Sequence, residues 1–140
     1  MRKLIILATA LLGTYAISAQ DFSATIKVEG FKTSKGNAIV RVFKQKKGFP
    51  KNESLAYKVI KCKIAHNKCI AKISLPTGIY AIAIVHDENN NNVLDKNWAG
   101  MPVESVGLSN FDKMAKPSFD KSKIHIEKDL TIQIKMHSLF

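Results

Sequence analysis

Ile79-Tyr-Ala-Ile-Ala-Ile-Val85 is a run of seven apolar residues, entered through Leu75-Pro76-Thr77-Gly78 and left through His86-Asp87. A short apolar run bounded by turn residues reads as a central strand covered on both faces. The chain around it alternates instead. Phe22, Ala24, Ile26 and Val28 interleave with Ser23, Thr25, Lys27 and Glu29, and Leu130, Ile132, Ile134 and Met136 interleave with Thr131, Gln133 and Lys135. That is the period of half-buried strands. Residues 38–43 and 123–126 add further strands, and Ser34-Lys35-Gly36-Asn37 is a turn. The polar stretch 44–54 around Gly48-Phe49-Pro50 is a loop with room for a helical turn.

Two more alternating runs meet at His66-Asn67, within Lys61-Cys-Lys-Ile-Ala-His-Asn-Lys-Cys-Ile-Ala-Lys72. A hairpin pairing Cys62 with Cys69, and Ile60 with Ala71, puts Ile60, Cys62, Ile64, Cys69, Ala71 and Ile73 on one face. Lys61, Lys63, Lys68 and Lys72 then lie outside. The expectation is a cross-strand Cys62–Cys69 disulfide, a structural staple contributing up to about 2–3 kcal/mol, with two buried free thiols as the alternative. Two cysteines at this spacing make a poor zinc site, and no Cys-x-x-Cys is present.

These elements give about seven strands and no long amphipathic helix, hence an all-β, mostly antiparallel β-sandwich. The 140 residues suit one domain. Residues 87–122 form one long irregular segment, and its Trp98, Met101, Val106, Leu108, Phe111 and Phe119 predict that it packs on the sandwich.

Ahead of the strands, Met1-Arg2-Lys3 is a positive start, Leu4 to Leu12 is apolar or small, and Ile17-Ser18-Ala19 offers small residues. This reads as a secretory signal peptide over 1–19, with residues 20–140 as the exported domain in periplasm or medium. The apolar part falls short of the ~20 residues a membrane span needs, and no transmembrane span is expected elsewhere.

The net charge is +11, or +9 without Arg2 and Lys3. Only Arg2 and Arg41 are arginines among the 22 basic residues. Arginine is what bidentate phosphate and base reading requires, so nucleic acid is not the expected partner. Residues 80–110 carry −3, from Asp87, Glu88, Asp95 and Glu104 against Lys96, leaving +12 for the rest of the mature chain.

That acidic island holds the strongest local pattern. In Asp87-Glu-Asn-Asn-Asn-Asn-Val-Leu-Asp95, oxygen-bearing side chains at Asp87, Asn89, Asn91 and Asp95 occupy positions 1, 3, 5 and 9 of a calcium loop. The Val93 carbonyl stands at position 7. A curled loop turns alternate side chains toward one centre, where a hard cation takes six to eight oxygens. Position 12 is Trp98, so a later carboxylate must complete the shell, and Glu104 is the candidate. A site of this kind is expected to be weak, about 10⁻⁴–10⁻³ M. The alternative is an Asx-rich turn held by its own side-chain-to-backbone bonds.

The run from Leu75 to Asp95 continues in Gly100-Met-Pro-Val-Glu104, Gly107-Leu-Ser-Asn110 and Pro117-Ser-Phe119. With Gly48-Phe49-Pro50, these residues resemble the bacterial family labelled domain of unknown function 2141. Asn90 and Asn92 stand where that family usually has glycine. The resemblance implies an exported β-sandwich with no established activity. Leu75-Pro-Thr-Gly-Ile-Tyr80 is also similar to a motif of transthyretin-like sandwiches, and the fold expected is transthyretin- or immunoglobulin-like.

No Gly-x-Ser-x-Gly, phosphate loop or His-Glu-x-x-His is present. His66, His125 and His137 read as turn or strand histidines. His86 closes the buried run beside Asp87; it and Trp98 are candidate loop contacts, and His86 is alternatively a transition-metal ligand or a base paired to Glu104 in a small hydrolase of transthyretin-like fold. A hydroxyisourate-hydrolase-like enzyme would end in Tyr-Arg-Gly-Ser, whereas this chain ends Lys135-Met-His-Ser-Leu-Phe140. The expectation is therefore a non-catalytic binding or structural module for a protein or glycan partner, with calcium in the 87–104 loop. A purely structural envelope role without ligand is the alternative.

Overall fold

The computed structural model describes residues 18–93, 95–96, 99–100, 104–111 and 116–138. Residues 1–17, most of the expected signal peptide, lie outside them, as do Trp98 and Met101 of the segment expected to pack. Among the described residues no helix is long and apolar enough to cross a membrane.

Eight strands form two stacked sheets: β1 (Asp21–Glu29), β2 (Asn37–Phe43), β3 (Lys58–Lys63), β4 (Lys68–Pro76), β5 (Gly78–Asp87), β6 (Val106–Leu108), β7 (Lys123–Ile126) and β8 (Leu130–Lys135). One sheet runs β4-β1-β8. The other runs β3-β2-β5, with β6 and β7 in succession along the far side of β5. All pairings are antiparallel except β1 with β8. The expected mostly antiparallel sandwich is what the chain adopts, with one strand more than periodicity revealed. That strand, β6, is three residues long, too short to show alternation.

The core lies between the sheets. Ala24, Ile26 and Val28 of β1, Ile132 and Ile134 of β8, and Ala71, Ile73 and Leu75 of β4 face Val40, Val42, Tyr80, Ile82 and Ile84 of the opposing sheet. A second, smaller core covers the outer face of β5, where Ala81 and Ala83 pack with Phe43, Leu108 and Phe119. This accounts for the unbroken apolar run, since both faces of β5 are buried. Val106, Leu108, Phe111 and Phe119 are buried or half-buried, so the described parts of the irregular segment do pack. Its short helix α1 (Phe119–Ser122) is capped by Ser118, whose hydroxyl accepts the Lys121 N–H. The predicted helical turn in the 44–54 loop is a 3-10 turn at Glu53–Leu55.

Ser109 fills the gap between β6 and β7. Its N–H donates to the Ile82 carbonyl at 3.0 Å, and its hydroxyl accepts the Ile82 N–H at 2.9 Å. A fully buried serine thereby completes the hydrogen bonding of the central strand.

The cysteine expectation is corrected here. His66 and Asn67 have φ of 51° and 57°, the two left-handed residues of a tight hairpin turn, and Ala65 bridges Lys68. The strands then part. β3 pairs with β2 and β4 with β1, so neither Cys62 with Cys69 nor Ile60 with Ala71 is a ladder pair. Cys62 and Cys69 are free, buried thiols whose side chains meet between the sheets, and no disulfide joins them. The face assignment stands, because both strands need an apolar side toward the same core. Cys62, Ile64, Cys69, Ala71 and Ile73 are buried and Ile60 is half-buried, while Lys61, Lys63, Lys68 and Lys72 are exposed.

Candidate functional site

β5 delivers Asp87 to the end of the sandwich, opposite Asn37 of β2. The carboxylate is 1% exposed, a costly placement for a charge unless hydrogen bonds hold it. Its Oδ1 accepts the Asn91 N–H at 3.1 Å and its Oδ2 the Asn92 N–H at 2.8 Å. To present those amides the chain must curl, and Asn90 and Asn92 do so with φ of 58° and 62°. Asparagine enters the left-handed region more readily than most residues, which is why it can stand in for glycine here.

The rest of the loop is bonded to itself. Asn89 Oδ1 accepts the Asn91 N–H at 3.1 Å, and Asn91 Oδ1 accepts the Val93 N–H at 2.9 Å. The Nδ2 groups of Asn89 and Asn91 donate to Asp95 Oδ2 and Oδ1, at 2.6 and 2.9 Å. Asp95 N–H in turn donates to Glu104 Oε2 at 3.1 Å. Asp87, Asn89, Asn91, Asp95 and Glu104 are thus joined by one network. Val93 is largely exposed, with its N–H turned into that network.

Glu104 is 8% exposed, and its Oε1 is buried without a hydrogen-bond partner among the described residues. Burial pushes its pKa up, with the charges of Asp95 and Asp87 adding to the rise and the Asp95 and Glu88 N–H groups opposing it. Among the described residues, no lysine or arginine pairs with Asp87, Asp95 or Glu104. Nor do three or more carboxylate, imidazole or thiol groups stand together in a metal-holding cluster there. The Asn89 and Asn91 amide groups, donating to Asp95, occupy the oxygens such a cluster would use. A cation would exchange those two bonds for amide and carboxylate oxygens.

His86 is 1% exposed and holds a different place from a base. Its Nε2 lies 2.9 Å from the Lys35 carbonyl, which can only accept, so Nε2 carries the proton. Phe31 packs edge-on at 5.1 Å, and Nδ1 lies 3.7 Å from Glu88 Oε1. The ring pins the β1–β2 connection to the loop rather than facing solvent.

That connection is the part of the site the sequence hid. Asn37 Nδ2 donates to Asn90 Oδ1 at 2.7 Å, and Thr33 Oγ1 donates to Glu88 Oε1 at 3.1 Å. Ser34 Oγ donates to Asn67 Oδ1 and accepts the Asn67 N–H, both at 2.9 Å, tying in the β3–β4 turn. Ser34-Lys35-Gly36-Asn37 announced only a turn; nothing in it named its neighbour.

Residues 26–133 match a family described as an uncharacterized protein conserved in bacteria, domain of unknown function 2141. No curated protein and no solved structure matches the chain.

Proposed function

The chain belongs to the family labelled domain of unknown function 2141, and we propose that it is an exported, non-catalytic binding or structural module whose 87–104 loop is stabilised by a weakly held calcium ion. The observation that carries this reading is Glu104 Oε1, a buried oxygen without a partner among the described residues, beside a network containing Asp87 and Asp95. Three carboxylates without a paired lysine or arginine among the described residues favour a divalent cation. Two nearby asparagine carbonyls supply the hard oxygen donors calcium prefers. The signal-peptide pattern of residues 1–19 supports the export reading. The burial of His86 and its bond to the Lys35 carbonyl favour a structural role for this side chain over that of a base.

A second reading has its own support. Asp87 and Asp95 already have a donor on each carboxylate oxygen, so the loop can hold itself as an Asx-rich turn. Calorimetric titration with calcium, together with thermal melts in chelator and in excess calcium, separates the two. Binding near 10⁻⁴–10⁻³ M is expected, with about 1.4 kcal/mol of stabilisation at tenfold excess over the dissociation constant. No heat and no shift at several times that concentration would leave the self-bonded turn as the function of these residues.

A further inference from the structure

The two sheets differ in how their outer faces are treated. The outer face of β5 is covered by a second core, whereas no element among the described residues covers the outer face of β4-β1-β8. Its side chains are set by register. Lys68, Glu29 and Lys135 stand abreast, then Ile70, Lys27 and Gln133, then Lys72, Thr25 and Thr131. Strand geometry spaces these rows by about 7 Å and neighbours within a row by about 5 Å. The first two rows line a shallow depression of about 300 Å³. Glu29 is engaged by Lys68 at 3.8 Å, while Lys27, Lys72 and Lys135 have no carboxylate partner among the described residues.

We propose that this face binds an acidic polysaccharide, its lysines meeting the chain's carboxylate or sulfate groups and Thr25, Thr131 and Gln133 its hydroxyls. The chemistry of the face selects this class. Ile70, 60% exposed, is the one apolar side chain of these three rows, too little to anchor in a lipid surface or to form the apolar centre of a protein interface. It carries no arginine to read bases and no aromatic ring on which bases would stack. What remains is four lysines against the single carboxylate of Glu29 in these three rows, with neutral hydrogen-bonding groups between them, suited to an anionic, polyhydroxylated polymer. The proposal is independent of the cation loop.

The test is a binding titration of the full chain in chelator with polygalacturonate and with dextran sulfate, neutral dextran serving as control. At least one acidic polymer is expected to bind, more weakly as salt rises, and dextran is not. Which of the two binds tells carboxylate from sulfate recognition. Replacing Lys27, Lys72 and Lys135 together by Gln is expected to weaken binding about tenfold, since each exposed ion pair contributes modestly. Replacing Lys61 and Lys63 by Gln, on the other sheet, is expected to change it little. All five lysines are exposed, and an unchanged melting temperature confirms that the variants fold. Failure of both acidic polymers to bind, equal binding of dextran, an unaffected triple variant, or tighter binding of anionic vesicles or duplex DNA would each overturn it.

Discussion

Gly36 lies against the backbone of Asp87 so closely that any side chain on it would collide with the Asp87 carbonyl oxygen. Its φ of +67° is also one that glycine alone adopts freely. The β1–β2 turn and the 87–95 loop therefore share one packed surface, and the size of residue 36 sets how close they come. Gly36→Ala is expected to destabilise the protein by about 2–4 kcal/mol, from backbone strain plus displacement of the loop. Denaturant unfolding would measure it. A loss under about 0.5 kcal/mol, the range of ordinary surface changes, would show that the two segments do not need this contact.

Asp87 and Asp95 are both acidic ends of the loop, yet their roles separate by burial. Asp87 is buried and bonds two backbone amides, whereas Asp95 is partly exposed and bonds two side-chain amides. Asp87→Ala removes the buried carboxylate that anchors the Asn91 and Asn92 N–H groups and is expected to cost about 2–4 kcal/mol even in chelator. Asp95→Ala is expected to cost about 1 kcal/mol or less in chelator, because Asn89 and Asn91 can turn to water. If calcium binds, both variants lose the calcium-dependent rise in melting temperature. Equal melting temperatures for the two variants in chelator would contradict the assignment.

Much of this was legible in the sequence for a simple reason. Burial on one or both faces of a strand writes itself as period two or as an unbroken apolar run, so residues 22–28, 79–85 and 130–136 were readable directly. The face of each cysteine was readable too, but not its partner. Periodicity fixes which way a side chain points and says nothing of which strand lies beside it, and the chain leaves the His66-Asn67 turn toward two different sheets. In the loop, the spacing of Asp87, Asn89, Asn91 and Asp95 predicted their convergence, and Glu104 joins them as a chemical guess about a missing ligand suggested. Thr33, Gly36 and Asn37 gave no such sign, because their contacts cross more than 50 residues of chain.

The free thiols make a separate prediction. Cys62 and Cys69 are 8% and 4% exposed, and burial, reinforced by the adjacent Cys62, pushes the Cys69 thiol well above its usual range. A protonated, inaccessible thiol is a poor nucleophile. Native protein is expected to resist alkylation by iodoacetamide at neutral pH, both residues becoming labelled only in denaturant. Its melting temperature is expected to be the same with and without reductant. Rapid labelling of the native state, or a fall in melting temperature on reduction, would count against buried free thiols.

Glu104 ties stability to pH in a direction opposite to most carboxylates. Its folded pKa is raised, chiefly by burial, so the folded state holds this proton more tightly than the unfolded chain does. The stabilisation is fully present below the ordinary glutamate range and is lost as pH rises through the elevated folded value. In chelator, then, the wild-type protein is expected to lose stability over that window relative to Glu104→Gln, which has no charge to bury. At neutral pH the variant should melt at the higher temperature of the two. Calcium should reverse the order, because only the carboxylate gives a bound cation a charged oxygen. Melts of both proteins from pH 4 to pH 8, with and without calcium, would check this. Parallel curves in chelator would mean that the Glu104 carboxylate is solvated and is not the orphan that the cation reading requires.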